Sequence, residues 1–151
     1  MAIETLRPNA AGSECNISNE AGEACPNHYL NVDEATPDNW TTTVTSYPDA
    51  AKNTWYRDLY GLADSGGSGT INKVTIKALC RSHVKVGSVE GKIRTALRTH
   101  DTSYDGTEHA VVTSWQLFEE EYTVNPFTGS AWTWAEIDAL EIGISLYWGY
   151  V

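Results

Sequence analysis

Residues 71–84, "INKVTIKALCRSHV", alternate with a period of two. Val74, Ile76, Ala78, Cys80, Ser82 and Val84 fall on one side of an extended chain, and Lys73, Thr75, Lys77, Leu79, Arg81 and His83 on the other. Only a strand sends successive side chains to opposite faces, and its apolar face then needs a second layer to cover it. The same period returns in "KIRTALRT" (92–99), where Ile93, Thr95 and Leu97 oppose Lys92, Arg94, Ala96 and Arg98. "GSVEG" (87–91) lies between them and reads as a turn, so the two runs are expected to pair as an antiparallel hairpin.

Further strands are predicted at "HYLNV" (28–32), "WTTTVTSY" (40–47), "NTWYRDLYGL" (53–62), "HAVVTSWQLF" (109–118), "EEEYTV" (119–124) and "EIGISLYWGY" (141–150). In the last, Ile142, Ile144, Leu146, Trp148 and Tyr150 share a face. Breakers separate the runs: "TPDN", "YPDA", "DSGGSG", "YDG" and "NPFTG". Short strands punctuated in this way predict an all-β antiparallel sandwich or jelly roll. One helix is expected. Thr133 and Glu136 have the spacing of a capping box, and Trp134, Ile137 and Leu140 follow at helical intervals. A short α-helix over about 133–140 should therefore plug one end of the sandwich, with Trp132 at its entry.

A chain of 151 residues fits one domain. Residues 1–14, with few apolar side chains, read as an extended N-terminal arm and 15–151 as the sandwich. No stretch is long and apolar enough to cross a bilayer. The start, "MAIETLRPNAAG", lacks the charged and apolar regions of a signal peptide, so synthesis in a cytoplasm is expected. Three cysteines make no disulfide framework. Cys15 and Cys25 flank a polar loop and can pair in an oxidising setting, while Cys80 reads as a core thiol.

The formal net charge of −10 is unevenly spread. Between positions 73 and 98 seven basic residues stand against Glu90 alone, and the remainder carries three basic and 19 acidic residues. In the expected hairpin, Lys73, Lys77, Arg81, Lys92, Arg94 and Arg98 would form one basic face. Three uses compete for it. Acidic neighbours such as Glu119–Glu121 can cross-pair with it; a second copy can meet it with its acidic face; nucleic acid can bind it. The last is disfavoured, because a chain this acidic repels phosphate at long range.

Chemistry-bearing patterns are sparse. His28, His83, His100 and His109 have no metal-ligand spacing, and "DSGGSG" lacks the lysine and helix of a phosphate loop. Asp101, Asp105 and Glu108 surround a glycine in "DTSYDGTE", where the choice is between a Ca²⁺ loop and an ordinary Asp-Gly turn; the missing alternate-residue ligand spacing favours the turn. No catalytic, cofactor or metal residues are therefore assigned, and no enzyme is expected. Six Trp and eight Tyr against two Phe suit half-exposed sheet faces. Trp40, Trp55, Tyr56, Tyr60 and Trp115 are the candidate aromatic contacts, and as platforms for sugar rings they would make a carbohydrate-binding module, the alternative reading with a glycan as partner.

"TLRPNAAG" (5–12), "VDEATPD" (32–38), "SGTINKVTI" (68–76) and "NPFTGSAWTWAEIDALEIGISL" (125–146) together resemble a group of small β-sandwich proteins of tailed phages and prophages, found among virion structural genes. The resemblance runs in the same order along nearly the whole chain. It implies a non-enzymatic virion component, such as a capsid decoration, head-fibre or tail-associated protein. That component would act by self-association or by binding other virion proteins, with the N-terminal arm reaching a neighbour. It transfers no functional residues. Members of that group often continue past the last strand with another one; where this chain ends at "LYWGYV", the resemblance implies either an edge strand supplied by a neighbour or a different terminus.

Overall fold

The computed structural model describes residues 3–18, 24–37, 41–46, 52–82 and 89–150. They form two antiparallel sheets and one short helix, a two-layer arrangement of the β-sandwich kind. The larger sheet has the order β1 (Pro8–Cys15), β2 (Thr54–Leu62), β8 (Glu141–Tyr150), β4 (Val89–Thr99), β5 (Thr102–Asp105), and β6 (His109–Val111) also pairs with β4. The smaller sheet joins β3 (Val74–Cys80) to β7 (Gln116–Tyr122). Helix α1 spans Trp134–Asp138.

The expected hairpin between 71–84 and 92–99 does not form. β3 pairs with β7, from Val74 opposite Tyr122 to Cys80 opposite Gln116, while β4 pairs with β8. Both strands carry an apolar face, and placing them in opposite layers buries both faces against each other. Ile76 and Leu97 belong to one core cluster with Trp132, Ile137 and Leu140. Ala78 and Cys80 pack on a second, built from Ile17, Ile93, Phe118 and Leu146. Apolar burial, at about 25 cal/mol per Å², outweighs a local turn preference.

Three further elements depart from expectation. Residues 8–14, read as an arm, are the edge strand β1 on β2, so they belong to the sandwich. Asn27–Asn31 is a 3-10 helix, not a strand. With three residues per turn, His28 and Asn31 share a face, and both are buried. The run 109–118 divides into β6 and the start of β7, and β7 continues through Glu119–Tyr122. Of the strand expected at 40–47, residues 41–46 show a single bridge at Thr43, and its ends lie outside the described residues.

The larger sheet curls strongly. Ser103 Oγ of β5 donates to Glu14 Oε1 of β1 at 3.2 Å, although three strands separate them in the sheet. Arg57 of β2 spans the concavity, with Glu14 at 3.2 Å and Asp105 at 2.7 Å. The β4–β5 reversal is made by His100 and Asp101, at φ 49° and 58°. Two successive positive φ values match the twist of a tight hairpin. "YDG" (104–106) is instead the link out of β5.

The capping box forms as expected. Thr133 Oγ1 accepts from Glu136 N at 3.3 Å, and Glu136 Oε2 accepts from Thr133 N at 2.8 Å. Trp132, Ile137 and Leu140 enter the core, so the helix is the plug the spacing implies. Trp134 packs on the same cluster and lies so close to the "DSGGSG" loop that a Cβ on Gly67 would sit 2.0 Å from its ring. Desolvation opposes ionisation of Glu136, but hydrogen bonds from Thr133 and Asn125 and the nearby His100 prevail and hold its carboxyl below the ordinary value of 4.5. A depressed folded-state value contributes stability that is present above pH 4.5 and is lost as pH falls through the lowered value. Glu136→Gln should keep the cap but flatten that part of the acid limb, as read by melting temperature against pH in matched buffers.

Candidate functional site

The outward face of the smaller sheet combines charge and exposed apolar surface. Because β3 and β7 are in antiparallel register, Lys77 stands opposite Glu119 and Leu79 opposite Leu117. Lys73, Lys77 and Arg81 make a basic column along β3. Leu117, Glu119 and Glu121 make the neighbouring column along β7. Lys73 pairs with Glu121, and Lys77 Nζ lies 2.6 Å from Glu119. Arg81 sits over the Trp115 ring at 5.2 Å, closing one end of the face. Leu79 and Leu117 are 40% and 56% exposed, large apolar side chains left facing water. The face is therefore a cation column beside an anion column with a leucine pair between the charges and the tryptophan.

The other half of the predicted basic face lies elsewhere. Lys92, Arg94 and Arg98 project from β4 in the larger sheet, among carboxylates of the same chain. Arg94 meets Glu108 at 2.6 Å, Lys92 meets Glu90 and Glu108 at 3.2 Å, and Arg98 meets Asp101 at 2.8 Å and Glu141 at 3.7 Å. Hydrogen bonds that Lys92 donates to Glu90 and Glu108 hold its ammonium above its ordinary value, and Arg94 and Lys92 hold Glu108 below its own. The six basic residues thus divide between two sheets and make no single surface. The physical reason is the absent hairpin: strand parity was read correctly, but the partner was not. Asp101, Asp105 and Glu108 likewise do not converge, since each engages an arginine: Arg98, Arg57 and Arg94 in turn.

The predicted aromatic contacts also scatter. Tyr60 is buried, and Tyr56 packs on the second core cluster. Burial, then the charge and hydrogen bond of Asp58, push the Tyr60 hydroxyl well above its ordinary value. Trp55 lies on the opposite face of β2, tilted against Tyr147 and covered by Arg94 at 4.1 Å. Trp115 immediately precedes β7 of the smaller sheet, and Trp40 lies outside the described residues. The four described rings form no common platform.

A buried polar cluster escaped the sequence reading. Asp58 is fully buried and accepts from Asn16 N at 2.7 Å, Ile17 N at 2.8 Å, His28 Nδ1 at 2.6 Å and Tyr60 OH at 3.3 Å. Cys15 and Cys25 form a disulfide beside it, and Cys25 Sγ is 3.7 Å from His28 Nδ1. The available signal was Asp58 itself, a carboxylate at a core-facing position between Tyr56 and Tyr60. Cys80 is a free thiol, pushed up to about 12 by burial. The expected cross-pairing of Glu119–Glu121 with basic residues forms at Lys73–Glu121 and Lys77–Glu119, whereas Leu117, opposite Leu79, was passed over.

A broad open cavity of about 1800 Å³ is lined by Ile76, Ala78, Ile144 and Leu146 from the inner faces and also by Lys77, Leu79, Leu117 and Glu119 from the outward face. That exceeds the roughly 300–1,000 Å³ of a small-molecule site. No described helix is long and apolar enough to cross a membrane. Comparison with protein families, with curated proteins and with solved structures finds no match.

Proposed function

We propose that this chain is a non-enzymatic structural module of a virion, of the capsid-decoration kind, that works by joining copies of itself on a lattice. The virion assignment rests on the resemblance in residues 5–12, 32–38, 68–76 and 125–146. The observation that carries the joining role is the outward face of β3 and β7. A basic column beside an acidic column is self-complementary: under a two-fold rotation, the lysines of one copy meet the glutamates of the next. Exposed ion pairs contribute only about 0.2–1 kcal/mol each, and swapping partners between copies changes their sum little. The charges therefore set register and steer encounter. Affinity comes from Leu79 and Leu117, since full burial of one leucine is worth about 1.5–3 kcal/mol. The described rings proposed for sugar binding share no surface, so the carbohydrate reading has no comparable support.

Sedimentation of the purified protein over a range of concentrations tests this. Wild type should self-associate, and Leu117→Lys should weaken that association at least tenfold, equivalent to about 1.4 kcal/mol. A wild-type protein that stays monomeric at high concentration and fails to bind its own particles would remove the proposal.

A further inference from the structure

We infer that Cys15, Cys25 and His28 form a thiol-gated metal site, closed while the disulfide is intact and able to take one zinc ion once it is reduced. The inference is independent of the β3–β7 face. Three observations carry it. First, one donor atom from each of Cys15, Cys25 and His28 lies within 4.8 Å of the others. A tetrahedral zinc ion with bonds of about 2.0–2.3 Å holds its donors roughly 3.3–3.8 Å apart, so the two sulfurs, 2.01 Å apart in the disulfide, must part on reduction. The Cys25 Sγ to His28 Nδ1 distance, 3.7 Å, already falls in that range.

Second, the sequence has ligand spacing that a search for histidine pairs passes over. Cys25 and His28 stand three apart in "CPNH", on the 3-10 helix and the residues leading into it. That turn brings both side chains to one side of the chain. Cys15, the last residue of β1, comes from across the loop.

Third, the histidine ligand is held in place. Asp58 Oδ2 lies 2.6 Å from the same ring nitrogen, while Oδ1 is fixed by the amides of Asn16 and Ile17. A carboxylate that accepts on every side leaves the proton on His28 Nδ1. Zinc would replace that proton and leave its fourth position to a water, with Asp58 as the buried carboxylate beside the ligating ring. His28 is 2% exposed, so this donor is shielded from bulk water.

The chemistry balances with a dithiol reductant. The dithiol gives two electrons and two protons to the Cys15–Cys25 bond and becomes a disulfide itself. Zinc then displaces the two thiol protons, and the proton of Nδ1 moves to Nε2, leaving a neutral imidazole ligand. Metal affinity therefore depends on redox state: oxidised protein has lost both sulfur donors to each other.

Cobalt(II) titration tests the site, using the full chain with Cys80→Ala to remove the remaining thiol. Reduced protein should take one Co²⁺ per chain with the visible bands of a tetrahedral ion and a near-ultraviolet thiolate charge-transfer band, and zinc should displace it. Oxidised protein should show neither band. Cys25→Ser and His28→Gln should each weaken binding at least ~10-fold, with far-ultraviolet circular dichroism confirming that each remains folded. Should His28→Gln fail to fold, Cys15→Ser replaces it as the second ligand test. Reduced protein without these bands, an oxidised protein that shows them, or an unchanged spectrum in folded Cys25→Ser would overturn the inference.

Discussion

Asp58→Ala is expected to destabilise the oxidised protein by about 3–5 kcal/mol, the range for removing one partner of a buried pair. The carboxylate sits in the middle of β2 and receives hydrogen bonds from three separate parts of the chain: the Asn16–Ile17 amides after β1, His28 on the 3-10 helix and Tyr60 two residues along its own strand. Truncation takes this acceptor from the buried Ile17 amide, His28 ring and Tyr60 hydroxyl, while the Asn16 amide keeps the Arg57 carbonyl at 3.1 Å. Every lost donor adds a desolvation cost of about 1–3 kcal/mol, although relaxation keeps the total below their sum. In a chain of this size the melting temperature should fall by roughly 6–20 °C. Asp58→Asn should cost less, because its remaining oxygen can still serve the Asn16 and Ile17 amides. A Asp58→Ala protein melting within about 2 °C of wild type would show that the cluster has no structural role.

Gly143→Ala should be comparably damaging for a steric reason. Gly143 lies in β8 opposite Leu59, and a Cβ there would stand 1.9 Å from the Asp58 carbonyl oxygen and 2.8 Å from its carbon. Both atoms are backbone, so no side chain can swing aside. Relief requires parting β2 from β8, the two strands at the middle of the larger sheet. Ordinary overpacking costs about 1–3 kcal/mol, and a clash against fixed backbone belongs at or above the top of that range. Differential scanning calorimetry should show a fall of about 6 °C or more. A smaller change would mean that the sheet is looser at its centre than the curl across Ser103 and Glu14 indicates.

What was legible in the sequence was local. Parity along β3, β4 and β8 was read correctly because each has a buried and a polar face, and the helix was legible because Thr133 and Glu136 form its cap within four residues. Pairing was not legible. A turn signal at 87–91 argued for β3 beside β4, yet the apolar faces of both strands are better buried across the layers than side by side. The candidate face was half legible: Glu119–Glu121 were expected to cross-pair with basic residues some 40 positions earlier, but the register that sets Leu117 opposite Leu79 was not. The same limit hid the buried cluster. Cys25 and His28 are close in sequence, but Asp58 joins them only through the register of β2 with its neighbours. His28 itself looked like the start of a strand until its partner in the core was known.

The self-complementary face is the central claim, and charge reversal in two halves tests it most directly. Lys73→Glu with Lys77→Glu makes both columns acidic; Glu119→Lys with Glu121→Lys makes both basic. Like charges across an exposed strand pair cost only about 0.2–1 kcal/mol per pair, so both variants should stay folded. Sedimentation velocity should find each variant monomeric alone and a one-to-one mixture forming mixed dimers. Variants that self-associate as wild type does, or a mixture that remains monomeric, would contradict the account.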